Sequence, residues 1–440
     1  MTDLLLRGRI LSFLREPEGV EDASSCLYEE DGALLIKDGR IAAMGGFSAV
    51  AAKPAADVET IDHRPHLIMP GLIDAHVHVP QMQVIASYGA ELLDWLSNYT
   101  FPEEGRFRDA QHARRVARMF VDEMMRHGTT TVAAYCSVHK ASAEAFFAES
   151  GARGLMVIAG KVMMDRNAPD AVLDTPRSSY DDTKALIGAW HGKGRLRYAI
   201  TPRFAITSSP EQMEMAGALV REHPECHVQT HLSENHAEIR WTEELYPEAR
   251  DYTDVYQRYG LLGPRSLFGH CIHLSEREAD AMSESGSVAI FCPTSNLFLG
   301  SGLFDYFRYK RRERPLRVAT ATDVGGGTNY SMLRTMDEAY KVIALNGPKI
   351  DPLRSFWQLT RGNAEALSLA DHVGTLDVGT DADLVVLDAR ATPAMKLRME
   401  RAETLAEELF VLQTLGDDRA VSEVYVAGRP VKSTLAAAPA

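Results

Sequence analysis

The segment PGLIDAHVH (70–78) closes a short apolar run on His76 and His78. Side chains two apart on a β-strand share a face, so the pair turns two imidazoles toward one point, which suits zinc or iron. By itself a His-x-His pair has little weight. It gains weight because His231 in VQTHLSEN, His270 in LFGHCIH and Asp323 in RVATATD each stand at the end of another short apolar stretch.

These stretches belong to a longer alternation. Candidate strands fall at 72–79, 129–135, 154–164, 198–204, 227–232, 267–272, 287–293 and 317–323. Between them lie amphipathic segments such as DAQHARRVARMFVDEMMRHG, with apolar residues at three-four spacing and a closing Gly. Another, SPEQMEMAGALVREHP, has a Ser-Pro start and a Pro past its end. Eight strand–helix units predict an α/β fold, a (β/α)8 TIM barrel over residues 70–373. A doubly wound open sheet is the structural alternative, but its first strand would usually lead into a Gly-rich phosphate loop, and here it leads into histidines. Residues 1–69 and 374–440 read instead as short strands with Gly and Asp-Gly punctuation, and predict a small β-sandwich domain formed from the N- and C-terminal segments. The final STLAAAPA is expected to fray.

Composition removes several classes of function. Hydrophobic content of 45% and charged content of 25% are ordinary for a globular protein. A net charge of −14 argues against a nucleic-acid partner, which would want a basic patch. No stretch approaches the ~18 apolar residues of a membrane span. The opening MTDLLLRGRILSF lacks the apolar core of a signal peptide. The five cysteines, widely spaced and without a C-x-x-C, read as reduced thiols of a cytoplasmic protein.

In a barrel, active sites form at the carboxyl ends of the strands. His76, His78, His231, His270 and Asp323 are all expected there, converging as four nitrogens and one carboxylate around one ion. His127, His139, His191, His223 and His273 lack that joint placement and are read as structural. A metal held by neutral ligands lowers the pKa of a bound water toward 7. Asp323 is placed to take a proton from such a water. Glu234, three residues past His231, is read as a proton shuttle that reaches the substrate without binding the ion; for a loop carboxylate the plainer role is a solvated or helix-capping one. The run Gly325–Gly327 lacks the Lys-Ser/Thr of a phosphate loop and is read as a loop passing close to the pocket.

PGLIDAHVH, the later His, His and Asp, and the split terminal β-domain resemble the amidohydrolase superfamily over nearly the whole chain. Members with two metals usually carry a lysine at the end of strand four. Here that strand ends ITPRF and Lys161 lies on strand three, so the resemblance implies a single metal per subunit, zinc first and iron as the alternative. HVHVPQ, LLDWLSNYTFPEEGRF, GKVMMDRNAPD, ITPRFAITS, QTHLSEN, CPTSNLFLGSGLFD and TDVGGGTNYSM are together similar to segments of the guanine deaminases within that superfamily. The similarity implies guanine as the substrate. Gln81, Arg203 and Phe204 are its contacts, alongside His231, Glu234 and Asp323, and the catalytic roles fall to Glu234, Asp323 and His270. Gln81 offers donor and acceptor, Arg203 a planar donor fork, and Phe204 a face for a flat base. Trp95 and Phe101 are further candidates for the pocket wall. Cys271, next to a ligand, is expected to point away from the metal. Related deaminases of cytosine, adenine-type bases, oxidised guanine or triazines would share the metal and the acidic pair and differ in the pocket. A nucleic-acid deaminase of the H-x-E…P-C-x-x-C type is excluded, since no P-C-x-x-C occurs. A homodimer is the expected assembly.

Overall fold

The computed structural model describes residues 3–53, 58–89 and 91–437. The N-terminal segment supplies β1 (Leu4–Phe13), β2 (Cys26–Lys37), β3 (Arg40–Gly46) and β4 (Glu59–Pro70). Asp38 and Gly39, with φ of 50° and 77°, make the tight turn between β2 and β3, as an Asp-Gly pair does in a two-residue hairpin. The middle of the chain follows with β5 (Leu72–His78), β6 (Thr129–Tyr135), β7 (Met156–Gly160), β8 (Val162–Met163), β9 (Leu196–Pro202), β10 (His227–Leu232), β11 (Ser266–His270), β12 (Val288–Phe291) and β13 (Arg317–Thr320). The C-terminal segment adds β14 (Leu384–Leu387), β15 (Val421–Val426) and β16 (Arg429–Pro430).

Both ends of the chain join one sheet, in the order β16-β15-β14-β4-β1-β2-β3. Its core draws Leu6, Ile10, Leu34 and Ile36 from one side of the chain and Leu384, Val386 and Tyr425 from the other. This agrees with the expected terminal β-domain. The C-terminal segment is not all strand, however. It also carries helices at Pro393–Met399, Leu405–Leu415 and Lys432–Ala437. The second opens on a capping box between Thr404 and Glu407 and packs on the barrel helices Met332–Asn346 and Pro352–Trp357. The tail expected to fray is helical to Ala437, and 438–440 lie outside the described residues.

The middle forms a nearly closed barrel of eight parallel strands, β5 through β13, with the two-residue β8 pairing β9 beside them. The helices follow the sequence pattern. Ala110–Arg126 is capped by the Asp109 side chain on the N–H groups of Gln111 and His112, and Pro210–Glu222 by Ser209. Among the described residues no ladder joins β13 to β5. Side chains close that seam instead. Asp74 accepts from the Thr322 N–H at 3.0 Å and its hydroxyl at 2.5 Å, and Asn363 donates to the carbonyls of Ile73 and Thr320, both at 2.8 Å.

Six strands end earlier than the apolar stretches suggest, among them 72–79 at His78 and 287–293 at Phe291. The stretch 154–164 is interrupted at Lys161, and 198–204, 267–272 and 317–323 stop at Pro202, His270 and Thr320. Left-handed backbone at His270 and Cys271 (φ 71° and 51°) accounts for the break at His270, and Asp323 (φ 51°) is left-handed in the loop past Thr320. Arg203, Phe204 and Asp323 therefore stand on loops just above the strands. Among the described residues no helix is long and apolar enough to cross a membrane.

Candidate active site

The five residues expected at a metal meet at the carboxyl end of the barrel. His76 Nε2 and His78 Nε2 are 3.2 Å apart, and His78 Nε2 is 3.2 Å from His231 Nε2. Asp323 Oδ1 lies 3.5 Å from His76 Nε2 and 3.4 Å from His78 Nε2, and its Oδ2 lies 3.8 Å from His270 Nε2. Asp323 is carried there by its own N–H, which donates to the His76 carbonyl at 2.9 Å. Room for His76 comes from Gly269, where a Cβ would sit 2.7 Å from the imidazole Cε1. Tyr135 floors the group, its ring centroid 4.7 Å from both His76 and His78.

The outer nitrogens fix which face each imidazole offers. His231 Nδ1 donates to the Arg203 carbonyl at 2.7 Å, and His270 Nδ1 donates to Asn296 Oδ1 at 2.9 Å. Both rings thus turn an Nε2 lone pair inward. Burial, then the neighbouring imidazoles and Arg203, push His76, His78 and His231 well below the usual histidine range, so all three are neutral. Neutral nitrogens this close repel unless something positive lies among them. Zinc–nitrogen bonds of about 2.0–2.1 Å put tetrahedral neighbours roughly 3.3 Å apart, close to the spacing present. The donor set therefore fits a divalent cation. Burial holds the Asp323 carboxyl up at about 7; a cation between these groups would pull it back down.

Glu234 sits beside this cluster rather than in it. Its Oε2 is 3.3 Å from His270 Nε2 and its Oε1 accepts from the Ser301 hydroxyl at 2.9 Å. The loop is held from behind: Glu238 accepts from the backbone N–H of Glu234 at 2.9 Å and of Asn235 at 3.0 Å. Burial raises the Glu234 carboxyl to about 7, within reach of both protonation states near neutrality.

A small cavity opens against these groups, lined by His78, His231, Glu234, His270 and Asp323 on one side and by Gln81, Arg203 and Phe204 on the other. Trp95, Leu92, Leu96 and Leu299 complete its apolar wall. Phe101 does not line it; its ring lies 5.6 Å from the Arg203 guanidinium carbon. Gln81 Nε2 and Arg203 Nη1 both bond Glu104 Oε1, at 2.9 and 2.8 Å. Sequence reasoning passed over Glu104, Ser301, Asn296 and Asp74. All four fall inside quoted segments, but nothing in those segments marks which polar residue faces inward.

The remaining expectations can be placed as well. Cys271 Sγ donates to the Phe268 carbonyl at 3.4 Å and packs in the outer core, away from the metal group. Strand alternation is not the reason, since the chain has already left the strand there. Gly326 reaches the pocket, and a Cβ on Gly327 would meet the Thr322 carbonyl at 1.9 Å. His127, His139 and His273 donate to the backbone carbonyls of Glu123, Ala171 and Ser301. His223 lies beside Glu225. His191 accepts from the Tyr198 N–H and sits in a partly exposed group with Glu225 and Cys226.

Fold and site together define a hydrolase-type barrel with a histidine–aspartate cluster whose spacing fits a metal ion, and the chain belongs to the amidohydrolase family, whose signature spans residues 67–431. Over 427 residues it is 45% identical to a guanine deaminase of Escherichia coli (strain K12), covering 97% of both chains. The solved structure of the E. coli enzyme superposes with a TM-score of 0.95 over 97% of this chain and 99% of that one. A guanine deaminase from Bradyrhizobium japonicum, 37% identical, matches at 0.93 over 98% and 99%. One from C. acetobutylicum, solved with guanine in its active site and 28% identical, matches at 0.86 over 98% and 100%.

Proposed function

We propose that this protein hydrolyses guanine to xanthine and ammonia, as a zinc enzyme of purine breakdown with one ion per subunit. The observation that carries the reading is one cavity in which a cluster of neutral histidines with Asp323, the buried Glu234 carboxyl and a polar, aromatic recognition wall face one another. Three neutral imidazoles, His270 and one aspartate suit zinc, with iron as the alternative. Held by His76, His78, His231, His270 and Asp323, the ion would supply Lewis-acid activation of water near neutral pH.

The chain's own groups do the rest. Phe204 and Trp95 bound the flat faces of the base and exclude water. Arg203 and Gln81 address its polar edge, which turns C2 toward the cluster. Glu234 gives its proton to N3, making C2 electrophilic, and Asp323 accepts a proton from the water that adds there. The hydroxyl of the adduct gives its proton to the Glu234 carboxylate, which passes it to the amine as the C2–N bond breaks and ammonia leaves; the proton held by Asp323 then returns to Glu234. His270, bonded to Asn296 on one side and close to Glu234 on the other, keeps the shuttle aligned. The proposal extends to a cytoplasmic homodimer, the commonest symmetric assembly, which sedimentation equilibrium tests.

The deciding experiment is ammonia release across guanine, 8-oxoguanine, adenine, cytosine and a triazine, with metal content measured on the same preparation. Guanine preferred by orders of magnitude in a protein with one zinc per chain is the expected result. A preference for another base moves the protein to a sister activity.

A further inference from the structure

Glu104 takes no part in the mechanism above, yet it is 1% exposed and lies directly behind the recognition wall. It ends the α-helical part of a run that starts at Leu92, is widened by a π-turn at Leu96–Thr100 and tightens to a 3-10 turn at Gly105–Arg108; a π-turn is frequent at functional sites. Its two oxygens accept from Arg203 Nη1 at 2.8 and 2.9 Å, and Oε1 also accepts from Gln81 Nε2 at 2.9 Å. A carboxylate paired with a guanidinium only accepts. Gln81 must therefore turn its nitrogen to Glu104, which settles an amide orientation that is otherwise ambiguous. Its Oε1 is left buried without a partner, packed by Gly325, where a Cβ would lie 2.0 Å away. Arg203 brings donors only. The two side chains share one oxygen of Glu104, so an acceptor and a donor stand side by side in the pocket lining.

We infer that Glu104 is a specificity-determining positioning residue: it fixes Gln81 as an acceptor beside Arg203 as a donor, a pair that selects bases carrying a lactam edge, a carbonyl next to a ring N–H. The inference rests on the guanine reading, in which that edge is O6 and N1–H. 2-Aminopurine has no carbonyl and sets a bare N1 lone pair against Gln81 Oε1. It carries the same amine at C2, so the same hydrolysis releases ammonia from it.

The test is steady-state ammonia release from guanine and 2-aminopurine by wild type, E104Q, E104D and Q81L, with zinc content measured for each. In E104Q the new amide can donate to Gln81 and let its amide turn over. KM for guanine should rise about tenfold or more with a smaller change in kcat, and the guanine-to-2-aminopurine ratio of kcat/KM should fall by at least about tenfold. E104D keeps an acceptor-only group and should hold the ratio within about threefold of wild type, despite a raised KM. Q81L should collapse the ratio without touching Glu104, and it carries the test should E104Q not fold. A purely structural Glu104 would lower both rates by one factor and leave the ratio alone. Metal-replete E104Q or Q81L with the wild-type ratio overturns the inference, as does E104D losing the ratio as fully as E104Q. Wild type releasing no ammonia from guanine overturns the substrate reading, and this inference with it. Wild type active on guanine with unchanged ratios in the variants overturns the inference alone.

Discussion

The two walls of the pocket are wired in opposite ways. On the metal wall, His76, His78 and His231 bring nitrogen to within 3.2 Å of nitrogen, an arrangement that calls for a proton or a cation between them. On the recognition wall, Arg203, Glu104 and Gln81 join cation, anion and amide within 2.9 Å, an arrangement that balances its charges without help and leaves only Gln81 Oε1 open. The first wall needs a ligand to be stable. The second is preorganised before any ligand arrives, which lowers the ordering cost of binding.

The sharpest break of this contrast is His76→Ala. Loss of one inward nitrogen should leave the purified protein without stoichiometric zinc and with activity below detection, by metal analysis and ammonia assay. Chelating the wild type should also lower its Tm, because an ion present at about 1,000 times its Kd adds roughly 4 kcal/mol to the folded state. An unchanged Tm after complete metal removal would mean that the metal wall is as self-sufficient as the other. Next in size is Glu234→Gln, which removes the titrating carboxyl and keeps its shape beside His270. Turnover should drop about 10²- to 10⁴-fold with zinc content kept; near-normal turnover would strip Glu234 of the shuttle role.

Arg203→Ala probes the recognition wall. It leaves Glu104 buried without its cation, which costs about 3–5 kcal/mol when one partner of a buried pair is lost. Urea unfolding should register that loss, and KM for guanine should rise while zinc content stays. A double change of Arg203 and Glu104 to apolar residues should recover much of the stability but not the KM. Stability unchanged by the single substitution would show that the wall is not a closed ion-pair unit.

Much of the metal wall was legible in the sequence and little of the recognition wall's wiring was. His76 and His78 declare themselves because a two-residue period on an apolar strand leaves them one shared direction. His231 and His270 follow from the same strand ends. Asp323 was placed among the ligands by its apolar approach, but the strand stops at Thr320 and the residue is delivered by a left-handed turn and a bond to the His76 carbonyl, which no periodicity encodes. Glu104 was invisible for a different reason. It stands next to Glu103, whose carboxylate accepts from Arg106 at 2.6 Å, and only the phase of the helix, altered by its π-turn, decides which of the two faces inward. The helix at Leu405–Leu415 lay in the sequence as Thr404-x-x-Glu407, yet its apolar length resembles the strands around it.

The smallest effect is expected where the two walls' logic meets, at Ser301. Its hydroxyl donates to Glu234 Oε1 at 2.9 Å, while the other Glu234 oxygen faces His270. Ser301→Ala removes one hydrogen bond, worth about 0.5–1.5 kcal/mol, so Glu234 gains rotational freedom without losing its chemistry. Turnover should fall about two- to tenfold, KM for guanine should barely move, and zinc content should stay at the wild-type level. A rise in KM with turnover intact would place Ser301 on the recognition wall. Loss of zinc would mean that Glu234 helps hold the ion, and the division between a wall that needs its ligand and one that does not would have to be redrawn through that carboxylate.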